Sequence, residues 1–263
     1  MDQPVALGVD VGGTKIEVGF VGQADSERGV WVKAMNVPIS EPVPLADMLA
    51  DKYGVPVAVD NDVHAATGAE MMFGVGKRFK DFLYMNVGTG IAIGIVSGGI
   101  LIRGAANYAG EIGHMTVDPR GDDCVCGRSG CLEPIASGGG MIRRARAALG
   151  SFPDSTLHRC ADDLHAGNIF EAAREGDPLA VQVKEQAVNA LGIAIVNAIN
   201  LINPEAVVLG GGVMQETTII DALRRHVAKC SLPAASGSLR SFGVSTLDTN
   251  RVGLLGAASL IWR

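Results

Sequence analysis

Apolar and polar positions change period several times along the chain. Val5 to Asp10 is a short apolar run ending in an acid, and Ile16-Glu17-Val18-Gly19-Phe20-Val21 alternates with period two. With Val11-Gly12-Gly13-Thr14-Lys15 between them, this predicts strand, glycine turn, strand, a pattern an ordinary hairpin would share. The plan recurs at Phe82 to Met85, Asn86-Val87-Gly88-Thr89-Gly90 and Ile91 to Val96, at a constant offset of 76 residues. Gly29 to Pro38 reads as a strand, Leu45 to Lys52 as a short helix, and Val55 to Val59 as a buried strand ending in Asp60-Asn61-Asp62. The helix after it carries small residues at Ala65, Ala66, Gly68 and Ala69. Ile135 to Leu149 predicts a helix entered through Ser137-Gly138-Gly139-Gly140, and Ile169 to Glu175 a short one. Leu179 to Ile202 has helical apolar spacing at Val183, Ala187, Ala190, Leu191, Ala194, Ile195 and Ala198, which reads as core. Asn203-Pro204 stops it; a buried strand at Ala206 to Leu209, the turn Gly210-Gly211-Gly212 and a helix near Thr217 to Ala228 follow. Val252 to Trp262 reads as a small-residue helix able to pack closely on an earlier element.

Chemistry concentrates between Glu111 and Glu133. Cys124, Cys126 and Cys131 fall within eight residues, and His114 lies ten residues before the first of them. Three thiolates and an imidazole make a closed four-coordinate zinc set, which holds structure and does no chemistry at the metal. Free thiols or a local redox pair is the plainer alternative. Zinc here would pin Glu111 and Glu133 beside a polar ligand. Each duplicated glycine loop puts a polar residue at a strand end, then bare N–H groups, then a Thr hydroxyl. Successive exposed N–H groups form an anion-binding concavity, and two such loops would clamp the phosphates of a nucleotide. Gly210-Gly211-Gly212 suits close approach of a flat ring or a phosphate, or is a plain tight turn. Helix capping accounts for one of Asp60, Asn61 and Asp62 but not for all three. A carboxylate at the carboxyl end of a sheet strand can accept a substrate hydroxyl's proton.

Composition narrows the class. The chain has 263 residues, 48% of them hydrophobic, enough for a substantial core in one or two domains. No apolar run reads as long enough to cross a bilayer. Net charge is −6, with no basic cluster beyond Arg143-Arg144 and Arg224-Arg225, which argues against nucleic acid as a partner. Met-Asp-Gln-Pro at the start lacks the regions of a signal peptide, and most cysteines belong to the metal motif, so a reducing cytoplasm is expected. His158, Cys160 and His165 read as surface residues.

Six motifs in order carry a specific resemblance: Asp10-Val-Gly-Gly-Thr-Lys15, Asp60-Asn-Asp62, Asn86-Val-Gly-Thr-Gly90, Gly110-Glu-Ile-Gly-His114, Cys124-Val-Cys-Gly-Arg-Ser-Gly-Cys-Leu-Glu133 and Pro204-Glu-Ala-Val-Val-Leu-Gly-Gly-Gly212. Over nearly its whole length the chain resembles sugar kinases of the ROK (repressor, open reading frame, kinase) family. The resemblance implies an actin-like (ribonuclease H-like) two-domain α/β fold. The smaller domain would be 1–79 with 251–263, and the larger 80–250. It implies transfer of the ATP γ-phosphoryl to a hexose hydroxyl, usually O6, with Mg²⁺ as cofactor and structural Zn²⁺. Glucose comes first, with fructose, allose, mannose and N-acetylhexosamines left open. Asp62 resembles the catalytic base and Asn61 a sugar ligand; Glu111, His114 and Glu133 match sugar-pocket positions. His114, Cys124, Cys126 and Cys131 match zinc ligands. Gly12, Gly13, Thr14 and Lys15 with Gly88, Thr89 and Gly90 match the phosphate loops, Gly211 and Gly212 the adenosine segment, and Asp10 the acid near Mg²⁺. A homodimer or homotetramer is implied. A DNA-binding repressor would need a helix-turn-helix before the first strand, and a sensor would be expected to lose Asp62. An actin-like ATPase or chaperone would share the phosphate loops but not the cysteine motif. One departure stands out. Val37-Pro38 runs almost directly into Pro44-Leu45, where the family pattern has a helix, a strand, a Pro-Gly loop and an Asn-containing sugar loop.

Overall fold

A computed structural model describes residues 10–11, 19–20, 23–33, 41–249 and 251–260. They fall into two compact units, one of 1–84, 94–110 and 245–263, the other of 85–93 and 111–244.

In the first unit, β1 (Asp10–Val11) pairs in parallel with β2 (Gly19–Phe20), so the pairing is not that of a hairpin. The predicted strand at Gly29 to Pro38 appears as β4 (Val30–Lys33), antiparallel to β3 (Gln23–Asp25). Val43 continues that ladder through two 2.8 Å hydrogen bonds with Trp31. α1 (Leu45–Tyr53) ends at Gly54, whose φ of 67° is the left-handed cap that glycine adopts without strain. The stretch Val55 to Val59 corrects the sequence expectation: it is irregular, and Val55 is 52% exposed. A lone extended segment needs a paired neighbour to become a ladder, and no described strand pairs with it. α2 (Asp62–Met72) is buried from Val63 to Glu70.

β5 (Phe82–Val87) and β6 (Ile91–Ser97) each pass from one unit to the other. With β7 (Ile100–Ile102), β8 (Ala206–Gly210) and β9 (Ser241–Val244) they make a five-stranded sheet of order β7-β6-β5-β8-β9. β7 is antiparallel to β6, and β9 parallel to β8. Every residue of β8 is buried, as its unbroken apolar run requires of a strand covered on both faces.

The expected helix at Ile135 to Leu149 is two helices, α3 (Leu132–Ala136) and α4 (Gly138–Ala148). Ser137 breaks them because its backbone is extended and its hydroxyl accepts the Gly140 N–H at 2.9 Å, capping α4. α5 (Ala166–Arg174) precedes α6 (Pro178–Ile202), which starts with an Asp177 cap and Pro178 in its first turn and stops at Asn203, φ 52°. Contrary to the sequence expectation, α6 is long and apolar enough to cross a bilayer by length and composition. Half of that window is buried in the protein, and Gln182, Glu185 and Asn189 line its exposed side, the pattern of a core helix. α7 (Thr217–Cys230) and α8 (Pro233–Ser238) complete this unit.

α9 (Val252–Ser259) returns to the first unit and packs on α2. A Cβ on Gly256 would lie 2.5 Å from the Ala65 carbonyl carbon, so the small residues of both helices allow backbone-to-backbone approach.

Candidate active site

Between Thr116 and Cys131 the chain folds back on itself through isolated bridges Thr116–Cys131 and Asp123–Ser129. Gly127 (φ 85°) and Gly130 (φ 76°) make the turns, and a Cβ on Gly130 would sit 1.7 Å from the Asp118 carbonyl oxygen. The result brings one donor atom each from His114, Cys124, Cys126 and Cys131 within 4.8 Å of one another. Cys126 Sγ lies 3.7 Å from Cys131 Sγ, and Cys124 Sγ 3.4 Å from His114 Nδ1. A tetrahedron with Zn–S of about 2.3 Å and Zn–N of about 2.0 Å has edges of roughly 3.5–3.8 Å, so the donors fit a closed zinc set. The thiols are free. The Arg128 backbone N–H and then its side chain bring Cys126 down to about 6, while burial pushes Cys131 up to about 12.

His114 joins this cluster to a carboxylate. Its Nδ1 faces Cys124, and its Nε2 lies 3.9 Å from Glu111 Oε2. Glu111 stands at the start of the short turn Ile112–His114 and is 43% exposed. Glu133 stands in the first turn of α3, and its Oε2 accepts the Ile91 N–H at 3.0 Å. A Cβ on Gly90 would be 2.7 Å from that same oxygen, so Glu133 lies directly against the Gly88-Thr89-Gly90 loop. That loop closes with Gly88 N–H on the Gly90 carbonyl at 2.9 Å, and Gly88 O accepts the Gly138 N–H of α4 at 2.8 Å. Gly211 (φ 90°) follows β8, and a Cβ there would lie 2.4 Å from the Val87 carbonyl oxygen. Gly212 opens the next short turn. Cysteine cluster, two glutamates and two glycine loops thus belong to one unit, and the glycine loops follow the carboxyl ends of β5 and β8, where α/β sheets bind ligands.

The other unit carries Asp60, Asn61 and Asp62. Asn61 caps α2, its Oδ1 accepting the Val63 and His64 N–H groups at 2.9 and 3.2 Å. Asp62 is half-buried in the first turn. Asp60 is the buried member, with 1% of its side chain exposed. It accepts from Arg103 Nε and Nη2 at 3.2 and 2.6 Å, from Asn107 Nδ2 at 3.3 Å and from the Asn61 N–H at 2.9 Å. His64 Nδ1 lies 3.5 Å away, and its Nε2 meets the Ala109 carbonyl at 3.1 Å. Burial raises the Asp60 carboxyl, but hydrogen bonds from His64 and Arg103 and the Arg103 charge outweigh it and bring it down to about 2. Sequence reasoning missed this network. Its only trace was the third polar residue that capping left unexplained. Asp10 is described only by its backbone in β1; Gly12, Gly13, Thr14 and Lys15 lie outside the described residues.

The two-unit α/β architecture has the actin-like ATPase fold of its structural neighbours. The chain belongs to the ROK family, which it matches over residues 13–263. It is 36% identical over 251 residues to a glucokinase of Halalkalibacterium halodurans (strain ATCC BAA-125 / DSM 18197 / FERM 7344 / JCM 9153 / C-125), covering 94% of this chain and 75% of that protein. It resembles the crystal structure of a ROK family glucokinase from Streptomyces griseus in complex with glucose and AMPPNP, with TM-score 0.77, 32% identity, and 92% and 79% of the two chains covered. A ROK family transcriptional regulator, homologous to the Escherichia coli Mlc protein, is as similar in fold, with TM-score 0.80, 31% identity, and 91% and 60% covered.

Proposed function

We propose that the protein is an ATP-dependent hexose kinase that phosphorylates O6 of glucose. The observation that carries this is the joined construction around His114. One imidazole links the cysteine cluster to Glu111, and the helix after Cys131 sets Glu133 against the Gly88-Thr89-Gly90 loop. Sugar-binding carboxylates and a phosphate loop are thereby one rigid piece. Such rigidity suits phosphoryl transfer, which depends on positioning and charge neutralisation.

In this reading Asn61, Glu111, His114 and Glu133 hold the sugar hydroxyls. Asp62 takes the O6 proton as O6 bonds to the γ-phosphorus, and the bond from that phosphorus to the bridging oxygen breaks to release ADP. N–H groups of Gly12 to Lys15 and of Gly88 to Gly90 face the phosphates, and Gly211 and Gly212 the adenosine. Asp10 would hold Mg²⁺, which would supply charge neutralisation, and His114, Cys124, Cys126 and Cys131 would hold zinc, which would supply fixed geometry. The protein would work in the cytoplasm, where thiols stay reduced, as a homodimer or homotetramer.

The test is coupled detection of ADP from Mg-ATP against a panel of hexoses and N-acetylhexosamines, with zinc measured in the same sample. Glucose-dependent ADP release supports the proposal, and a different preferred sugar corrects the substrate. Sugar binding by a zinc-loaded sample without ADP release would favour a sugar-responsive regulator, a reading that the similarity to the ROK regulator keeps open.

A further inference from the structure

The Asp60–Asn61–Asp62 turn is held from both sides by one loop. Two residues before Asp62, Asp60 receives the Arg103 guanidinium, through Nε at 3.2 Å and Nη2 at 2.6 Å, and the Asn107 amide at 3.3 Å. Two residues after it, His64 Nε2 meets the Ala109 carbonyl at 3.1 Å. The loop between Arg103 and Ala109 is itself closed by the Ala109 N–H on the Arg103 carbonyl at 2.9 Å. Asn107 sits at φ 63°, a left-handed conformation that asparagine adopts more readily than most non-glycine residues. Here its Oδ1 accepts from Ser26 Oγ at 3.4 Å while its Nδ2 reaches Asp60. The side chain therefore ties the turn after β3 to the Asp60 carboxylate.

We propose that Arg103 and Asn107 are positioning residues for the reaction: through Asp60 they fix the Asp62 carboxylate at the angle and distance from which it takes the sugar proton. The proposal rests on the kinase reading, with Asp62 as base. Asp62 lies in the first turn of α2, its Oδ1 accepting the Val63 N–H at 2.9 Å, between the two residues that this loop holds. On one side Asp60 accepts from Asn61, Arg103 and Asn107, and on the other His64 meets the Ala109 carbonyl, so the backbone that carries Asp62 is held at both ends. A forked guanidinium gives that anchor a fixed direction, which a lysine ammonium cannot.

The experiment compares wild type with Arg103→Lys, Arg103→Met and Asn107→Gly, reading kcat, KM for sugar and for ATP, and Tm. Asn107→Gly is the variant protected against misfolding, because glycine adopts φ 63° without strain. Misplacing a catalytic group by about 1 Å can cost on the order of a hundredfold. We expect kcat to fall about tenfold in Asn107→Gly and in Arg103→Lys, and about a hundredfold in Arg103→Met, with KM for ATP unchanged. In an Asp62→Asn background, Asn107→Gly should leave the residual turnover unchanged, because it acts only through Asp62. Wild-type kcat in both Arg103→Lys and Asn107→Gly, with only Tm altered, would overturn the positioning role, as would an equal loss in the Asp62→Asn background. A wild-type protein that releases no ADP with any sugar overturns the kinase reading and this one with it. An active wild type with unaffected variants sinks this one only.

Discussion

At the residue scale the three acids and amides of the Asp60–Asn61–Asp62 turn share a sequence neighbourhood but not an environment. Asn61 satisfies helix N–H groups, Asp62 stays half-buried, and Asp60 is sealed against Arg103 and His64. Asp62→Asn should lower kcat by about a hundred- to ten-thousandfold, the usual range for a lost general base, with ATP affinity within about twofold. Steady-state kinetics and nucleotide titration check both. Asp60 makes a stability prediction. Its carboxyl ionises near 2 in the folded protein and near 3.9 in an unfolded chain. A depressed carboxylate stabilises above the unfolded value and loses that contribution as pH falls towards the folded one. The loss, about 2 kcal/mol, should fall between about pH 4 and pH 2. Urea unfolding across that window should show it in wild type and not in Asp60→Asn. That Asp60 was the buried one was not legible beforehand, because its partner Arg103 is 43 residues away.

At the scale of elements, local sequence signals served well where the governing contacts are local. α6 begins and ends at its Asp-Pro and Asn-Pro signals, and its buried positions follow the apolar spacing. Val55 to Val59 fails the same test because a strand exists only with a partner. Ser137 divides a helical pattern because its hydroxyl caps α4 while the three glycines after it lie against backbone of other segments, a Cβ on Gly140 lying 2.5 Å from the Glu133 and Pro134 oxygens. Packing and propensity oppose each other at Gly256. Alanine is the better helix former by about 1 kcal/mol, yet a Cβ there would stand 2.5 Å from Ala65 backbone atoms that cannot rotate away. Gly256→Ala should therefore destabilise by about 1–3 kcal/mol, the cost of overpacking, read as a lowered Tm. A raised Tm would show that α9 shifts freely on α2.

At the scale of the whole molecule, the cysteine cluster and the Asp60 network belong to different units, so their losses should be separable. Cys126→Ala, or chelation of the wild type, should release the metal and expose residues 111–133 to proteolysis. Turnover should fall at least tenfold as Glu111 and Glu133 lose their fixed support. Protection of α2 and α9 against hydrogen exchange should remain. Full activity without metal would reject the scaffold role of the cluster, and loss of protection across both units would show that they unfold together.

Much of the protein follows from sequence because its decisive groups are close in the chain. The four donor residues of the cluster need no distant partner: all lie between residues 114 and 131, and glycines at 127 and 130 make the turns between them. α5, α6 and α7 of the second unit and the glycine loop after β5 are of the same kind. Tertiary structure decided what depends on segments meeting. It seated Glu133 on the Ile91 N–H, 42 residues away, buried Asp60 under Arg103, set α9 on the backbone of α2, and left Val55 to Val59 without a partner strand among the described residues. The physical reason is that propensity, capping and close ligand spacing act over a few residues. Burial, and the hydrogen bond that makes burial of a charge tolerable, are properties of a place in the fold.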